Sequence, residues 1–438
     1  MQVNSKRFTS EQNLIEFSNQ HHETSAMQQK RLIAFQQYPE LVLPKFQKIN
    51  YRNWGLLKGQ PMPADVSASS NTQSKSMSID LPANAMITQR GIQSAQVKLN
   101  QEALTAGVIA LDFFDAQQQF PEWFARDYMT KALAADAHRL AAYHAAAVNC
   151  GIFVYVPAGV QLKEPLTWSF SQDPDETVKR VQHVLLIAGE NSRLTILESR
   201  HESVASIAAA NIVEELILEA GAQVHFTAID ETKGVAYLAR RAYLSTHARL
   251  DWALGLMNDG DVLDDFNVDL KGDSSHTEFK VVAISSGSQT QAITTCVTNY
   301  GRHTEGNILQ HGVILSDATL IFNGVGHIVK GARDSDAQQE NRVLMLSKTA
   351  RGDANPILLI DENDVRAGHA ASVGRVDVSQ MYYLMSRGLS KDVAERLVIR
   401  GFIGSVLAEI PLATARQKLT GTIERKLIDG QRHRDRTK

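Results

Sequence analysis

The stretch that decides the fold spans residues 324–388 and reads GVGHIVKGARDSDAQQENRVLMLSKTARGDANPILLIDENDVRAGHAASVGRVDVSQMYYLMSRG. It begins as short β-prone pieces separated by polar turns, and near Asp377 the apolar period changes to that of a helix. His369 lies just before this change. Its neighbours are all small: Ala367, Gly368, Ala370 and Ala371. Small neighbours leave a side chain accessible and let another backbone come close. The stretch therefore predicts the end of a β region with an accessible imidazole, followed by helices.

The region before this stretch is predicted to be all β. From Gly151 to about Val373, short segments of alternating apolar residues are separated by small or polar turns. Successive turns fall roughly 26–31 residues apart, a spacing typical of stacked β repeats. The lack of helical segments disfavours a βαβ architecture. The residues alone leave two folds open: a large β-sandwich or barrel, and a stacked β-helix in which each coil buries one inward face.

Helical patterns precede the β region. Thr9 with Gln12 forms a capping-box pattern, and residues 23–38 have apolar positions at helical spacing. The alanine-rich segment 103–147 is also predicted to be mainly helical. It carries His138 and His144 at a spacing that does not bring both to one face, so we expect them at the surface or the core edge rather than in a metal site.

Further helices are predicted after the β region. Asp377 is a predicted N-cap, Gly388 a helix stop, and Ser390 the cap of the next helix. A last apolar stripe follows at i, i+4 spacing: Leu419, Ile423 and Leu427. These patterns divide the chain into an N-terminal helical region (1–66), a Ser-rich linker (67–85), a mainly helical region leading into the core (86–150), a β core (151–376) and a C-terminal helical domain (377–438).

Composition narrows the class of protein. The 438 residues carry a formal net charge of −3, which argues against a general polyanion binder because phosphate contacts need a basic face. The two cysteines, Cys150 and Cys296, cannot form a disulfide framework, and a reducing compartment fits. No secretory signal is visible, and no apolar run approaches the ~20 residues of a membrane span. We therefore expect a cytoplasmic protein that binds neither nucleic acid nor membrane.

Recognised catalytic templates are missing from the sequence. It has no GxxxxGK[ST] phosphate loop, no CxxC, no HExxH and no GxSxG. We therefore predict that the chain is not an enzyme.

A set of borderline metal ligands remains in the last β repeats: Cys296, His303, His311, His327 and His369, with Glu305, Asp334, Asp336 and Glu340. Imidazole suits iron and zinc, and thiolate suits iron–sulfur species. In a stacked fold, residues one coil apart can lie above each other, so distant members can meet. His369 is the favoured functional residue because of its small neighbours, whereas Cys296 lies in an alternating strand and is expected to be a buried hydrophobe.

The same stretch resembles the core signature of the SufB/SufD family, the scaffold subunits of the Suf iron–sulfur cluster assembly system. The pieces that carry the resemblance are residues 331–336, 355–356, 358–360, 368–374 and 386–388. The resemblance implies a mainly β fold, with a right-handed parallel β-helix core flanked by N-terminal and C-terminal α-helical regions. That implication favours the second of the two folds left open above.

The resemblance also implies partners and cargo. Members of the family work as a SufB–SufD pair bound to the ABC ATPase SufC, whose ATP-driven dimerisation reshapes the interface where the nascent cluster forms. The iron–sulfur cluster would be transient and shared with the partner subunit. The C-terminal helices would bind the ATPase, and we expect the contacts to come from Val393, Leu397, Val398 and Phe402.

The motif around His369 resembles the SufD type within the family. This implies that His369 acts in cluster assembly at the subunit interface, as a metal ligand. The position at which SufB-type chains carry an acceptor cysteine falls near Asn341 in this chain, and residues 338–347 contain no thiol. Some SufD-type chains have a cysteine where this chain has Ala367, so sulfur ligands are expected mainly from the partner.

Two alternatives remain. The first is a SufB-like subunit of the same complex. The second, less favoured, is a polysaccharide-active β-helix enzyme, which would need paired carboxylates on an exposed face. A homodimer in the absence of partners is a further expectation.

Overall fold

The computed structural model describes residues 8–59, 61–62, 86–173, 178–202, 209–408 and 413–436. The Ser-rich linker expected at residues 67–85 lies outside them. The helices in the described ranges are α1 (Glu11–Gln20), α2 (Ser25–Gln37), α3 (Gln101–Thr105), α4 (Phe113–Gln119), α5 (Pro121–Asp127), α6 (Arg139–Ala147), α7 (Val378–Ser386), α8 (Lys391–Ala408) and α9 (Ala413–Arg436).

The strands of the described ranges are numbered in chain order. They are β1 (Met86–Arg90), β2 (Gln96–Lys98), β3 (Ile109–Asp112), β4 (Cys150–Val156), β5 (Leu166–Ser171), β6 (Val181–Ala188), β7 (Arg193–His201), β8 (Ala210–Leu218), β9 (Gln223–Glu231), β10 (Ala236–Leu244), β11 (Arg249–Leu256), β12 (Val262–Leu270), β13 (His276–Ser285), β14 (Thr290–Asn299), β15 (Glu305–Ile314), β16 (Thr319–Ile328), β17 (Ser335–Met345), β18 (Arg351–Ile360) and β19 (Val365–Arg375).

Strands β4 to β19 form a parallel β-solenoid with two sheets. Even-numbered strands from β4 to β18 stack in one sheet, the even sheet, which ends on β3. Odd-numbered strands from β5 to β19 stack in the other, the odd sheet, which continues through β1 to β2. Each strand therefore pairs in parallel with the strand one coil later, as Ala210 on β8 pairs with Ala236 on β10. The β-helix implied by the resemblance is confirmed, and the sandwich and barrel alternatives are wrong.

Alternate residues of every coil point into the solenoid and form its apolar core. Equivalent inward positions stack directly on one another because the strands are parallel and in register. Phe226, Trp252 and Phe279 occupy one such position, with ring centroids 4.9 and 5.3 Å apart along the stack. Burial of such columns supplies most of the driving force for winding, at about 25 cal/mol per Å² of apolar surface.

The corner between an even strand and the next odd strand repeats a left-handed residue. Asn191, His247, Ser274 and His303 all have φ between 55° and 59° there. The amide of each bonds the carbonyl of the next coil's corner, as His247 N–H donates to Asp273 O at 2.9 Å. The corner of the β8–β9 coil uses Gly221, where a Cβ would lie 2.2 Å from Asn191 Oδ1. The recurring turns noticed in the sequence are this ladder of corners.

Helices cover both outer faces of the solenoid. Helices of the N-terminal region pack on the outer face of the even sheet, and α8 and α9 pack on the outer face of the odd sheet. The predicted stripe of α9 is confirmed, because Leu419, Ile423 and Leu427 are each 1% exposed. None of the helices in the described ranges is both long and apolar enough to cross a membrane.

The helix caps were predicted with mixed accuracy. Asp377 caps α7 by accepting from Ser379 N–H at 2.8 Å, and Gly388 follows that helix with φ of 91°; both predictions are confirmed. At the N-terminus the cap is Ser10 rather than Thr9. The two differ by one residue, because both hydroxyls suit the position.

The alanine-rich segment 103–147 is less helical than predicted. It contains β3 and a turn region over residues 128–138 as well as its helices. His144 is fully buried on α6, so its expected surface or core-edge position is wrong. The Ala-rich helix lies between the N-terminal helices and the even sheet and is buried on nearly all sides, a packing that its small side chains permit.

Candidate functional site

His369 lies on β19, the outermost described strand of the odd sheet, and its side chain is exposed. Its register partner is Gln339 on β17, whose buried side chain donates from Nε2 to Ile357 O on β18 at 2.7 Å. Neighbouring residues of parallel strands project to the same side of a sheet. The imidazole is therefore on the face of β19 that looks across the solenoid to β18. We call this open end, formed by β18 and β19, the coil mouth.

A column of polar side chains runs inside the last coils to the strand behind His369. Thr295 donates to Gln310 Oε1 at 3.0 Å, and Gln310 Nε2 donates to Asn341 Oδ1 at 2.9 Å. Among the described residues, buried Asn341 Nδ2 and Gln339 Oε1 have no hydrogen-bond partner. The hydrogen-bonded column therefore ends at β17, directly behind the coil mouth.

The coil mouth exposes apolar positions that earlier coils bury. Ile360 on β18 is 39% exposed, whereas Ile328, its register partner one coil earlier, is fully buried. On β19, Val373 is 41% exposed, whereas its partner Val343 is 2% exposed. These differences arise because no further coil follows in the described chain. The inner core of the solenoid therefore ends uncovered at this mouth.

The two ends of the solenoid are built differently. At the first coils, both sheets end on antiparallel strands, because β2 pairs with β1 and β3 pairs with β4. At the last coil, β18 and β19 each have one sheet neighbour among the described strands. A strand edge of this kind presents unpaired N–H and C=O groups, which can pair with strands of another chain.

The other histidines of the predicted ligand set do not join His369. His303 is a corner residue whose Nδ1 lies 3.4 Å from Asp334 Oδ2. His327 is on β16 of the even sheet, with Nε2 3.0 Å from Asp361 Oδ2. Each histidine meets an acid from a neighbouring coil, but histidine does not meet histidine in this set.

His311 and the remaining acids are also engaged elsewhere. His311 lies under α8 on the outer face of the odd sheet, and its Nε2 is 2.9 Å from Glu340 Oε1. Glu305 pairs with His276 at 3.1 Å, and Asp336 pairs with Arg366 at 2.9 Å. In the part of the chain that the structure describes, no three His, Cys, Asp or Glu side chains gather to hold a metal ion.

Neither cysteine supplies a thiolate to the mouth. Cys150 is buried in β4 in the first coil. Cys296 is partly buried on β14 of the even sheet, 3.7 Å from Thr298 Oγ1, and burial raises the pKa of its thiol. The raised pKa keeps Cys296 protonated at neutral pH, which disfavours metal binding.

The four C-terminal residues predicted to contact a partner differ in exposure. Leu397 is 42% exposed, whereas Val393 and Val398 are half-buried. Phe402 lies against the solenoid, with its ring 4.9 Å from that of His311. The most exposed apolar surface lies on α7, in which no residue is buried, and Tyr382 is 75% exposed.

A charged cluster inside the solenoid was missed in the sequence. The guanidinium of Arg240, fully buried on β10, donates to Glu214 Oε2 and Asp230 Oδ2 at 2.8 Å and to Glu198 Oε1 at 2.7 Å. Arg200 adds a second guanidinium to Glu198, at 2.8 Å. Such a cluster survives burial because its charges are paired and hydrogen-bonded.

Asp264 extends this cluster on β12. It is fully buried, and neither of its carboxyl oxygens has a hydrogen-bond partner in the described residues. Burial, with the nearby charge of Asp230, raises the pKa of this carboxyl well above its ordinary value. A signal for the cluster was present, since charged pairs interrupt otherwise apolar strands. Glu214-Glu215 and Arg240-Arg241 are one coil apart, and Asp264-Asp265 lies in the next coil, two residues before the register partner of Arg240.

Two buried histidines join the N-terminal helices to the even sheet. His144 Nε2 lies 3.0 Å from His183 Nδ1, and His144 Nδ1 lies 2.8 Å from Asn211 Oδ1. His183 Nε2 is in turn 3.3 Å from Glu215 Oε2. Burial lowers the pKa of both histidines and raises the pKa of Glu215 to about 8. The pair is therefore a neutral part of the packing, and the sequence offered no signal that His183 would meet His144.

Comparison with known proteins adds sequence relationships along most of the chain. Residues 170–402 match the family described as "SUF system FeS cluster assembly, SufBD core domain", and residues 75–167 match "SufBD protein N-terminal region". The chain is 39% identical over 437 residues to "Iron-sulfur cluster assembly protein SufD" of Bacillus subtilis (strain 168), covering 98% of this chain and 100% of that protein.

More distant relatives share the same description. A SufBD family protein of Staphylococcus epidermidis (strain ATCC 12228) is 25% identical over 72% of this chain and 68% of its own length. A SufBD family protein of Mycobacterium leprae is 29% identical over 60% of this chain and 30% of its own length.

Proposed function

The chain belongs to the SufBD family of iron–sulfur cluster assembly proteins, and on that premise we propose that it is the SufD-type scaffold subunit of a Suf complex. In this role it pairs with a SufB-type subunit and is bound by a SufC-type ABC ATPase in the cytoplasm. It holds and releases a nascent cluster without catalysing a reaction of its own. The observation that carries the proposal is the open coil mouth with His369 exposed on it.

The coil mouth suits pairing with a second solenoid. Its apolar inner positions, Ile360 and Val373, are partly exposed and would be buried by another coil. The free edges of β18 and β19 supply backbone donors and acceptors for strands of the partner. A SufB-type partner with a similar open end would cover both, in the way that one coil covers the next.

The cluster is cargo of the assembled pair rather than a resident group. His369 supplies one imidazole nitrogen, a ligand that suits iron. The SufD-type chain brings no thiolate to the mouth, because Cys150 and Cys296 lie elsewhere. The position of the SufB-type acceptor cysteine would fall near Asn341, and residues 338–347 contain no thiol. The sulfur ligands therefore come from the partner subunit, and this division of ligands favours the SufD type over the SufB-like alternative.

The ATPase is proposed to bind α7 and the outward side of α8. This surface combines exposed apolar residues, Val378, Tyr382 and Leu397, with helices that rest on the solenoid through their other side. Amphipathic helices of this kind dock into grooves through anchors at helical spacing. Phe402 belongs to the supporting side, because it stacks on His311.

Co-purification tests the proposal. The tagged chain is expressed alone, with a SufB-type subunit, with a SufC-type ATPase and with both, and each eluate is analysed by size exclusion with light scattering. We expect a stable ternary complex, which restores cluster-containing enzymes in cells that lack their own SufD-type subunit. A chain that elutes alone in all four arms, or a complex that restores no enzyme, would overturn the proposal. A β-helix enzyme of another class would give the first of these results.

A further inference from the structure

His311 is the side chain that ties α8 to the last coils of the odd sheet. It lies on the outer face of β15 and is 3% exposed. Its Nδ1 is 2.9 Å from the carbonyl oxygen of Phe402 on α8, and its Nε2 is 2.9 Å from Glu340 Oε1 on β17. The ring also stacks on that of Phe402, at 4.9 Å and an interplanar angle of 24°. A single buried ring thus contacts a helix and a strand.

The two ring nitrogens face different acceptor groups. A carbonyl oxygen can only accept, so Nδ1–H of His311 donates to Phe402 O. Nε2 faces Glu340 Oε1, and Arg342 Nη2 donates to the other carboxyl oxygen, Oε2, at 3.0 Å. The ring therefore bridges α8 and β17 through both of its nitrogens.

Charged groups from three elements surround the ring. On β17 they are Glu340 and Arg342, and on β13 Lys280 lies two residues before Val282, the register partner of His311. The charged residues of α8 within two turns of Phe402 are directed to α9. Glu395 accepts from Gln431, Arg396 donates to Gln431, and Arg400 pairs with Glu424. Among these groups, Glu340 is the one that bonds the ring.

The contact that His311 makes with Phe402 and Glu340 lies between the two surfaces of the proposed function, the ATPase-binding helices and the coil mouth. On its helix side, Phe402 lies on α8, which also carries the exposed Leu397. On its strand side, Glu340 is the register partner of Ala370 on β19, and Ala370 directly follows His369. A displacement of α8 thus reaches the strand of His369 through two hydrogen bonds and one strand pairing.

We propose that His311 is the positioning residue through which α8 transmits movement of the bound ATPase to the coil mouth. This inference rests on the proposed function and adds the mechanical link between its two surfaces. Covalent continuity alone does not provide that link, since α7 and the turns around it intervene between β19 and α8. Coupling of this kind needs an element that both sites bias, and the α8 docking contact is that element.

The first test separates transmission from binding. His311→Phe keeps a ring for Phe402 and removes both hydrogen bonds. We expect it to co-purify with the SufB-type subunit and the ATPase as wild type does, while maturation of cluster enzymes falls about three- to thirty-fold, the range of typical coupling energies. The matched control is His276→Phe. His276 lies on the same sheet face and pairs with Glu305 and Glu278, and its replacement leaves maturation unchanged.

Two outcomes of this test would overturn the inference. Normal maturation with His311→Phe would show that the link is not needed. Loss of the ATPase together with maturation would show that His311 only holds the binding helices in place. The wild-type chain is the control for the proposed function. If it binds neither partner, the proposed function is refuted, and the variants no longer test the inference.

Amide hydrogen exchange of α8 in the purified chain tests the docking contact. We expect α8 of His311→Phe to be less protected than α8 of the wild type, because both hydrogen bonds of the ring are lost. Glu340→Gln should keep α8 protected, because the introduced amide can still donate to Nε2. Equal protection of α8 in the wild type and in His311→Phe would overturn the inference.

Discussion

His369 on β19 and Gln339 on β17 occupy the same position in successive coils, yet the first is exposed and the second is buried. Their strands differ in what covers them. A further coil covers Gln339, whereas β19 is the last described strand of its sheet. The position that is buried in the core of earlier coils is therefore exposed at His369, where another chain can contact it.

Replacement of His369 with Ala should impair cluster assembly without affecting the fold. The side chain is exposed, so we expect the free energy of unfolding to change by less than about 0.5 kcal/mol. Maturation of iron–sulfur enzymes should fall strongly in cells that depend on this chain. His303→Asn is the control, because His303 is an exposed histidine at a solenoid corner with an acidic neighbour, and asparagine tolerates its left-handed backbone. Wild-type maturation with His369→Ala would remove His369 from the site.

A charge at the coil mouth should block subunit pairing. Val373 is 41% exposed at the end of β19, and Val373→Lys places an ammonium group where the partner would bury an apolar residue. Edge lysines are a common device against strand pairing. We expect pull-downs to lose the SufB-type subunit and to retain the ATPase. Retention of both partners would show that pairing uses another surface.

A substitution on the C-terminal helices should release the ATPase rather than the SufB-type subunit. Leu397 is 42% exposed on α8, and Leu397→Asp should release the ATPase while the SufB-type subunit stays bound. The circular dichroism spectrum should match that of the wild type. Phe402→Asp is predicted to lower the stability of the C-terminal helices, since it removes the ring stacked on His311. If Leu397→Asp still co-purified with the ATPase, the binding surface would lie elsewhere.

Removal of one charge from the interior cluster should be severely destabilising. Arg240→Met leaves the carboxylates of Glu198, Glu214 and Asp230 without their shared guanidinium. The expected loss is about 3–5 kcal/mol of unfolding free energy, measured by urea denaturation followed by circular dichroism. Arg249→Met is the comparison, because Arg249 is 46% exposed in its pair with Asp251 and such pairs contribute about 0–1 kcal/mol. Equal losses in the two variants would contradict the role given to burial.

The buried carboxyl of Glu215 should make stability depend on pH. Burial raises its pKa from 4.5 to about 8, so the folded state holds the proton more tightly than the unfolded state. The stability gained from that proton is complete below about pH 4.5 and is lost as pH rises towards 8. In denaturant titrations, the wild type should lose about 1–3 kcal/mol relative to Glu215→Gln over this interval. Parallel curves for the two proteins would show that Glu215 is ionised in the fold.

The solenoid was predictable because every coil meets the same local sequence requirements. Every coil needs a turn, an inward apolar set and a corner residue that tolerates a left-handed backbone, and these requirements recur in the sequence around Asn191, His247 and Ser274. The choice between a sandwich and a β-helix was not accessible from the residues, because both bury alternate positions. The family resemblance supplied that choice.

The interior contacts were not predictable in the same way. Arg240 is charged in an apolar strand, and an amphipathic pattern alone cannot tell whether such a residue faces water or a buried acid. His144 and His183 lie on a helix and a strand that meet only in the fold. Phe402 was expected at a partner surface, but its contact with His311 depends on how α8 lies across the odd sheet. The exposure of His369 was predictable because its small neighbours signalled it directly.

The exposed strands of the last coil have a consequence for the cell if the proposed pairing holds. A chain synthesised in excess of its proposed partner would keep a template on which the edge strand of a second copy can add. We expect such surplus molecules to self-associate. Under the proposed function, the two scaffold subunits would therefore need to be produced in similar amounts, independently of how much cluster the cell requires.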